Sequence, residues 1–299
     1  MIDKRYLNWK NKIGYGAGDV AGNVVYAFLS TFMMFYLTDT VGMNVGIVGT
    51  LMAISRLLDA LTDLLFGNLL DRTSTKMGKA RPWMLLGYIG CAVMLAAIFM
   101  IPSHWGDAAK YAYFFITYTL LNAVFYTVNN IAYATLTALI TKNTSERVQL
   151  GSFRFIFAFA TKIIIEAVTV HAVIWLGNDA SAWRTIAIIY AILGLITNTI
   201  SVFSVKELPE ADEGMDEERE EEHKLTFLKS FQLLLKNKYY VVICITYIMT
   251  QLYASVIGIG TYYAKYILGN EELFSSLSLA INITMVVSLI ALPIVIQKM

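Results

Sequence analysis

Eight apolar runs dominate the sequence, and each is long enough to cross a lipid bilayer as a helix. A membrane-spanning helix needs about 20 mostly apolar residues, and its backbone must satisfy its own hydrogen bonds. Hydrophobic residues make up 57% of the chain and charged residues 15%, whereas soluble domains contain about 25% charged residues. The composition therefore predicts an all-α integral membrane protein. The predicted spans are approximately 13–38, 43–70, 82–102, 110–140, 150–176, 183–205, 239–266 and 273–297.

Lysine and arginine cluster in alternate connections between these spans, before span one, between spans two and three, between spans four and five, and before span seven. Positively charged loops stay in the cytoplasm, so we expect a cytoplasmic N-terminus and a cytoplasmic long connection at 206–238. This connection begins with an acidic linker and continues as an amphipathic helix on the inner membrane surface. It divides the chain into an N-terminal six-helix bundle (1–205) and the first two helices of an incomplete C-terminal bundle (239–299).

The second span contains charged residues in an otherwise apolar run. Asp59 and Asp63 are four residues apart, so on a helix they share one face, with Arg56 on the same side. A charge at the middle of the bilayer costs at least about 2.5–3.5 kcal/mol and is rare unless it is paired or faces a polar cavity. Two carboxylates on one face indicate a cation or proton site. The alternative is a structural ion-pair cluster with Arg56.

Polar residues on four spans lie at overlapping depths. With a rise of about 1.5 Å per residue, spans one, two, four and five bring several ionisable or amide groups to one level below their lysine-rich ends. Polar groups rarely face lipid, so their common depth on four helices predicts that they line one polar cavity. These groups are Asp19, Asp59, Asp63, Thr127, Asn129, Asn130 and Arg154.

The chemistry of these groups suggests two roles. A monovalent cation requires a small cage of oxygen atoms, which Asp59, Asp63, Thr62 and Thr127 can provide. A proton can instead reside on one of the two carboxylates, since like charges at short distance raise one pKa. The coupling ion is therefore predicted to be Na⁺, Li⁺ or H⁺, with no other metal and no cofactor.

Hydroxyl-rich solutes are held by hydrogen bonds to carboxylate and guanidinium groups. Asp19 and Arg154 therefore suit a sugar. Lys162 and Glu166, four residues apart on span five, most simply pair with each other. The predicted substrate-binding residues are Asp19, Tyr26, Asn129, Asn130, Arg154 and Lys162.

Other classes of function find little support in the sequence. A net charge of +1 leaves no basic face for a nucleic acid. Cys91 and Cys244 both lie in apolar runs, which indicates neither a disulfide framework nor a metal site. The sequence contains no arrangement of nucleophile and base, so we do not expect an enzyme.

Several segments resemble the glycoside–pentoside–hexuronide:cation symporter family of the major facilitator superfamily. The resemblance covers essentially the whole length, and its most specific part is the paired-acid helix with the basic turn that follows. The matching segments are Gly14–Asp19, Phe35–Asp39, Arg56–Asp63, Met77–Trp83 and Tyr126–Asn130, with Arg154 further on.

The resemblance implies a major facilitator fold in a bacterial plasma membrane. Members of the family have twelve spans, so eight spans imply a chain truncated at its C-terminal side. It also implies that Asp59 and Asp63 bind the coupling cation and that Asp19 and Arg154 bind sugar. The 71–82 turn resembles the loop that gates the inward side, with Asp71, Arg72, Lys79 and Arg81 as its charged residues.

Our hypothesis from the sequence is a cation-coupled symporter of a sugar or glycoside that works by alternating access. Its partners are then a small sugar, a monovalent cation and the lipid bilayer, without nucleic acid; the oligomeric state is left open. Two alternatives remain. One is an amphiphile or lysolipid carrier on the same fold, and the other is a membrane sensor or scaffold whose intramembrane charges are structural.

Overall fold

A computed structural model describes residues 5–102, 104–208 and 236–284, and no strand occurs within these residues. The helices alternate in direction because short loops join most of them. Their bounds are α1 Trp9–Phe28, α2 Val45–Asp71, α3 Arg81–Ile98, α4 Asp107–Thr119, α5 Thr127–Ile140, α6 Thr144–Trp175, α7 Ala180–Ser204, α8 Lys238–Tyr266 and α9 Leu273–Thr284. The α1 helix continues through π-helical turns at Leu29–Met33 and Tyr36–Thr40, and the π-helical segment Leu120–Tyr126 joins α4 to α5.

The predicted helical segments are confirmed wherever the structure describes them. Six helical stretches are long and apolar enough to span a membrane, one of them the continuous stretch Asp107–Ile140, and α9 is a shorter apolar helix. The α1 helix carries Lys12, Asp19 and Asn23 and is not among the six. The predicted acidic linker and amphipathic helix at 209–235 and the end of span eight at 285–297 lie outside the described residues.

Side chains at the helix starts explain several of the observed boundaries. Asn44, Asn143, Asp179 and Asn237 each accept hydrogen bonds from backbone N–H groups of the first turn that follows. These N–H groups have no partner within the helix, so such a cap stabilises a helix by about 1 kcal/mol. The short loops therefore specify where α2, α6, α7 and α8 begin.

The α1 helix lies between α6 and α7, and α3 packs on α5 and α7. One end of this bundle carries the loops 72–80 and 141–143 and the segment 205–208; we call it the basic end. Contacts there join separate parts of the chain: the Glu146 carboxylate accepts hydrogen bonds from the backbone N–H groups of Tyr6 and Leu7 at 3.2 and 3.1 Å. A core of stacked aromatic rings, including Phe28, Phe99 and Trp183, fills the other end.

The α8 and α9 helices contact the first seven helices near that other end, which we call the opposite end. The Asp39 carboxylate, just beyond predicted span one, accepts hydrogen bonds from Lys265 Nζ at 2.8 Å and Tyr266 OH at 2.5 Å. The Thr38 and Tyr262 hydroxyls are 2.7 Å apart. Burial by itself raises the pKa of Asp39, but its hydrogen bonds with Lys265, Tyr266 and Thr38 bring that pKa below the ordinary value. Asp39 therefore binds α8 as a charged carboxylate.

A close approach of α3 and α5 depends on Gly87. A Cβ atom added there would lie 3.0 Å from the Asn129 backbone N and 3.0 Å from the Phe125 backbone O. We expect Gly87→Leu to lower the unfolding free energy by about 1–3 kcal/mol, because backbone atoms cannot move aside as a side chain can. A thermal-unfolding measurement in detergent checks this. Gly151→Leu is the matched control, since no atom of the described residues lies within 4 Å of an added Cβ there. An equal loss in both variants would contradict the expectation.

Candidate functional site

A polar cavity of about 600 Å³ lies between α1, α2, the α4–α5 junction and α8. Five residues that the sequence predicts for the site line it: Tyr26, Asp59, Asp63, Thr127 and Asn130. Its remaining polar lining is contributed by Ser30, Arg56, Tyr118, Asn122, Tyr126, Tyr247, Gln251 and Ser255. The cavity therefore receives residues from both sides of the long connection.

The Asp59 carboxylate is the best-held acid of this cavity. One of its oxygens accepts a hydrogen bond from Thr127 Oγ1 at 2.8 Å, and the other lies 3.4 Å from Arg56 Nη1. Asp59 has 23% of its side chain exposed, and Arg56 has 57% exposed. Asp63 lies one turn further along α2, is exposed, and lines the same cavity. The two acids, with the Thr127 hydroxyl, form an oxygen-rich surface of the kind that binds a hard monovalent cation.

The π-helical segment Leu120–Tyr126 determines how α5 presents its side chains. The Asn122 amide donates to the Tyr118 carbonyl at 3.1 Å, and the Asn122 carbonyl lies 3.0 Å from Thr127 Oγ1. A π-helical turn adds one residue relative to an α-helical turn and is frequent at functional sites. Here the segment carries Asn122 and Tyr126 and is followed directly by Thr127, so this irregular stretch provides much of the cavity wall.

Asp19 and Arg154 form a second polar cluster with Tyr133. Arg154 Nε donates to Asp19 Oδ2 at 2.9 Å, and Arg154 Nη2 lies 3.4 Å from Asp19 Oδ1, so the pairing is two-pronged. The Tyr133 hydroxyl donates to Asp19 Oδ2 at 2.6 Å, and the Arg154 guanidinium lies 4.4 Å from the centre of the Tyr133 ring. The ring therefore orients both charged groups.

Tyr126 lies beside the turn of α1 that separates the two clusters. Its ring lines the cavity, and its hydroxyl lies 3.9 Å from the position of a Cβ atom added to Gly22. Gly22 lies between Asp19 and Tyr26 on α1, about one turn from each. The Asp19 cluster and the cavity thus involve consecutive turns of α1.

Five of the predicted cation- and sugar-site residues do not line the cavity. Asp19 and Arg154 form the second cluster instead, and the other three are Asn129, Thr62 and Lys162. The Asn129 amide donates to the Met84 carbonyl at 2.6 Å and to Asn198 Oδ1 at 3.0 Å, in a buried contact of α5 with α3 and α7. The Thr62 hydroxyl donates to the Asp59 carbonyl of its own helix at 2.9 Å. Lys162 Nζ lies 3.8 Å from Glu166 Oε1, as the spacing on span five predicts.

The predicted gating loop is anchored to the segment that follows α7. The Glu207 carboxylate accepts hydrogen bonds from the backbone N–H groups of Lys79 at 2.6 Å, Ala80 at 3.0 Å and Arg81 at 2.9 Å. The Arg81 guanidinium donates to the Val202 carbonyl at 2.8 Å. Arg72 is exposed directly after α2, and the side chain of Asp71 lies outside the described atoms.

The sequence reasoning did not assign a site role to several residues that the structure brings to these clusters. Tyr133 contacts both Asp19 and Arg154, and Tyr118, Asn122 and Tyr126 line the cavity. The spacing held a signal for one of them, because Tyr133 lies three residues after Asn130 and so on a neighbouring part of the same helical face. Tyr118 and Asn122 carried no such signal.

Membrane transporters are among the proteins built as helix bundles around a cavity with ionisable side chains. The family model described as "MFS/sugar transport protein" matches residues 14–299. The chain therefore belongs to this family of the major facilitator superfamily, and the resemblance to the glycoside–pentoside–hexuronide:cation symporters is confirmed.

Several relatives are transporters. The putative glycoside/cation symporter YagG of Escherichia coli (strain K12) is 32% identical over 272 residues, 89% of this chain and 56% of the relative. The inner membrane symporter YicJ of the same organism is 31% identical over 271 residues, 90% of this chain and 56% of the relative. The isoprimeverose transporter of Lactiplantibacillus pentosus is 29% identical over 211 residues, 69% of this chain and 44% of the relative. The chain thus spans about half the length of the relatives it matches.

Proposed function

We propose that the protein is a secondary active transporter that carries a sugar or glycoside together with Na⁺, Li⁺ or H⁺. The observation that supports this best is the proximity of two polar clusters of different chemistry. Asp59, Asp63 and Thr127 offer oxygen atoms to a cation, and Asp19 and Arg154 offer both acceptors and donors to hydroxyl groups. A relative named as a putative glycoside/cation symporter agrees with this assignment.

In this proposal, the cation binds between Asp59 and Asp63. Two carboxylates four residues apart repel each other when both are charged, and a bound cation or proton removes that repulsion. Neutralisation would also reduce the cost of enclosing the acids away from water. Thr127 attaches the cation site to α5, so cation binding would affect the position of the helix that also carries Asn130 and Tyr133.

The sugar would bind beside Asp19 and Arg154 and extend into the cavity. The two-pronged pair presents a planar set of donors and acceptors, which suits the adjacent hydroxyl groups of a sugar ring. Tyr26, Tyr126 and Asn130 line the cavity next to this pair. On the α8 side, Gln251 would complete the polar wall.

Alternating access accounts for the arrangement of the two groups of helices. We assign the basic end to the cytoplasm, because lysine and arginine are enriched in cytoplasmic loops. The α8 and α9 helices contact the other helices toward the opposite end, through Asp39 with Lys265 and Thr38 with Tyr262. This supports an inward-facing state, with 1–205 as one moving bundle, 239–299 as part of the second and 206–238 as the cytoplasmic linker between them.

Uptake into proteoliposomes tests the proposal. Purified protein is reconstituted, a Na⁺, Li⁺ or proton gradient is imposed, and the accumulation of a panel of radiolabelled glycosides, pentosides and hexuronides is measured. The proposal predicts accumulation of at least one sugar that requires one of the gradients. If folded protein accumulates none of these sugars, the proposal is contradicted. If lysolipids also displace an amphiphile bound to the protein, an amphiphile carrier is favoured instead.

A further inference from the structure

Glu166 is an intramembrane acid that the proposed transport sites do not use. It lies on α6, nine residues before the helix ends at Trp175, and only 1% of the residue is exposed. Its nearest cation is Lys162 of the same helix, whose Nζ is 3.8 Å from Glu166 Oε1, beyond hydrogen-bond distance. A buried carboxylate is costly unless other groups donate hydrogen bonds to it.

Those donors come from the helix that follows α8. The Ser278 hydroxyl donates to Glu166 Oε2, and the Asn282 amide donates to the same oxygen at 3.0 Å. Asn282 also donates to the Ser278 carbonyl at 2.9 Å, so the two donors are part of one buried network on α9. Glu166 Oε1 and Asn282 Oδ1 have no hydrogen-bond partner among the described residues. Glu166 is therefore held mainly by groups from the other side of the long connection.

The same helix also carries Arg154. Twelve residues, about 18 Å along the helix, separate Arg154 from Glu166, so α6 contacts the proposed sugar site near one end and α9 near the other. Further contacts between the two groups of helices lie toward the opposite end, among them the ion pair of Asp39 with Lys265 and the ring contact of Phe32 with Phe274. These contacts join α8 and α9 to the first seven helices at that end.

The geometry points to Glu166 as a positioning residue for transport. Its carboxylate holds α6 against α9 while the cavity faces the basic end. It releases α9 when the opposite end opens. This inference rests on the proposed function, because it assigns Glu166 to the conformational step of that transporter. The charged carboxylate makes the contact strong, since charge-assisted hydrogen bonds are about twice as strong as neutral ones. Separation of the helices would return the acid to water, which limits the cost of release.

The test uses Glu166→Gln and Ser278→Ala in the protein as reconstituted for transport. The first variant keeps the shape of the side chain and removes its charge, and the second removes one donor from α9. A reporter cysteine replaces Ser275, which is 2% exposed on α9, in a Cys244→Ser background. Ser152→Ala is the matched control, because Ser152 is an exposed α6 residue whose hydroxyl donates to the Val148 carbonyl of its own helix.

A membrane-impermeant maleimide is added from the side of the opposite end. We expect it to label the reporter about tenfold faster in both variants, because the loss of one charge-assisted hydrogen bond has about that effect on an equilibrium. The maximal rate of net uptake should fall, while the KM for the sugar should change less than twofold. Unchanged labelling in both variants would overturn the assignment of Glu166. The labelling assay needs no sugar, so its result separates a wrong role for Glu166 from a wrong transport function.

Discussion

Replacing both Asp59 and Asp63 with Asn is expected to abolish cation-driven accumulation of the sugar. Asn keeps the size of each side chain but removes the negative charge that attracts a cation and the carboxylate that can take up a proton. Loss of the Asp59 charge also weakens its hydrogen bond from Thr127, which measures 2.8 Å in the native chain. Each single variant should lose at least about tenfold in apparent cation affinity, since one charged contact is worth about 1.5–3 kcal/mol.

Gradient-driven uptake into proteoliposomes measures this effect, and facilitated sugar exchange in the absence of a gradient shows whether the sugar site survives. Asp107→Asn is the matched control, because Asp107 is an exposed acid at the start of α4 outside the cavity. Uphill accumulation at the native level in the double variant would exclude Asp59 and Asp63 as the cation site. It would favour the alternative in which Asp59 and Arg56 form a structural ion pair.

Arg154→Gln is expected to abolish sugar binding while leaving cation binding in place. The substitution removes the two-pronged contact with Asp19 and leaves that acid with the Tyr133 hydroxyl as its remaining side-chain donor among the described residues. Two hydrogen bonds from the guanidinium to the sugar, each worth about 1.5–3 kcal/mol, would be lost, so we expect the KM for the sugar to rise at least about a hundredfold. Arg154→Lys should not restore binding, because an ammonium group cannot reproduce the planar two-pronged geometry.

Isothermal titration with sugar and with cation separates these effects. Arg184→Gln is the control, because Arg184 is an exposed arginine on α7 that does not line the cavity. Retention of native sugar affinity in Arg154→Gln would show that the Asp19–Arg154 pair is structural. Simultaneous loss of cation binding would show that the two clusters form a single site.

The sequence predicted the helices well because a membrane span has a strong signature. A run of about 20 apolar residues has few other stable structures, and charged or polar loops mark its ends. The same reasoning placed Asp59 near Thr127 and Asp19 near Arg154, since each pair lies at similar depth on two different spans. Depth along a helix can be counted from its end, so the sequence alone predicts these pairings.

Rotation of a helix about its axis was harder to predict than depth. Asn129 and Asn130 are neighbours in sequence, but Asn130 faces the cavity and Asn129 faces Met84 and Asn198. The π-helical segment before α5 changes the rotation of α5 about its axis. The local composition does not predict such a segment. Thr62 illustrates a second limit, because a helical threonine readily donates to the carbonyl three or four residues earlier instead of to a ligand.

The sequence also did not predict the contacts that Glu166 and Asp39 make with the helices after the long connection. Glu166 and Lys162 predicted their own pairing through helical spacing, but the donors Ser278 and Asn282 lie more than a hundred residues away. In the proposed alternating-access cycle, their approach would depend on which end of the bundle is closed, and hydropathy carries no information about that state. The same holds for Asp39 with Lys265 at the opposite end.

Mutual enhancement of cation and sugar binding is the central claim of this account. The most direct measurement is the thermal stability of the purified protein against Na⁺, Li⁺ and pH, each with and without a panel of sugars. A ligand that binds only the folded protein raises its unfolding temperature, and coupled ligands raise it more together than the sum of their separate effects. We predict that one cation raises the unfolding temperature and enlarges the increase caused by one sugar. Separate increases that simply add, or no increase with any cation and sugar in folded protein, would contradict cation-coupled symport.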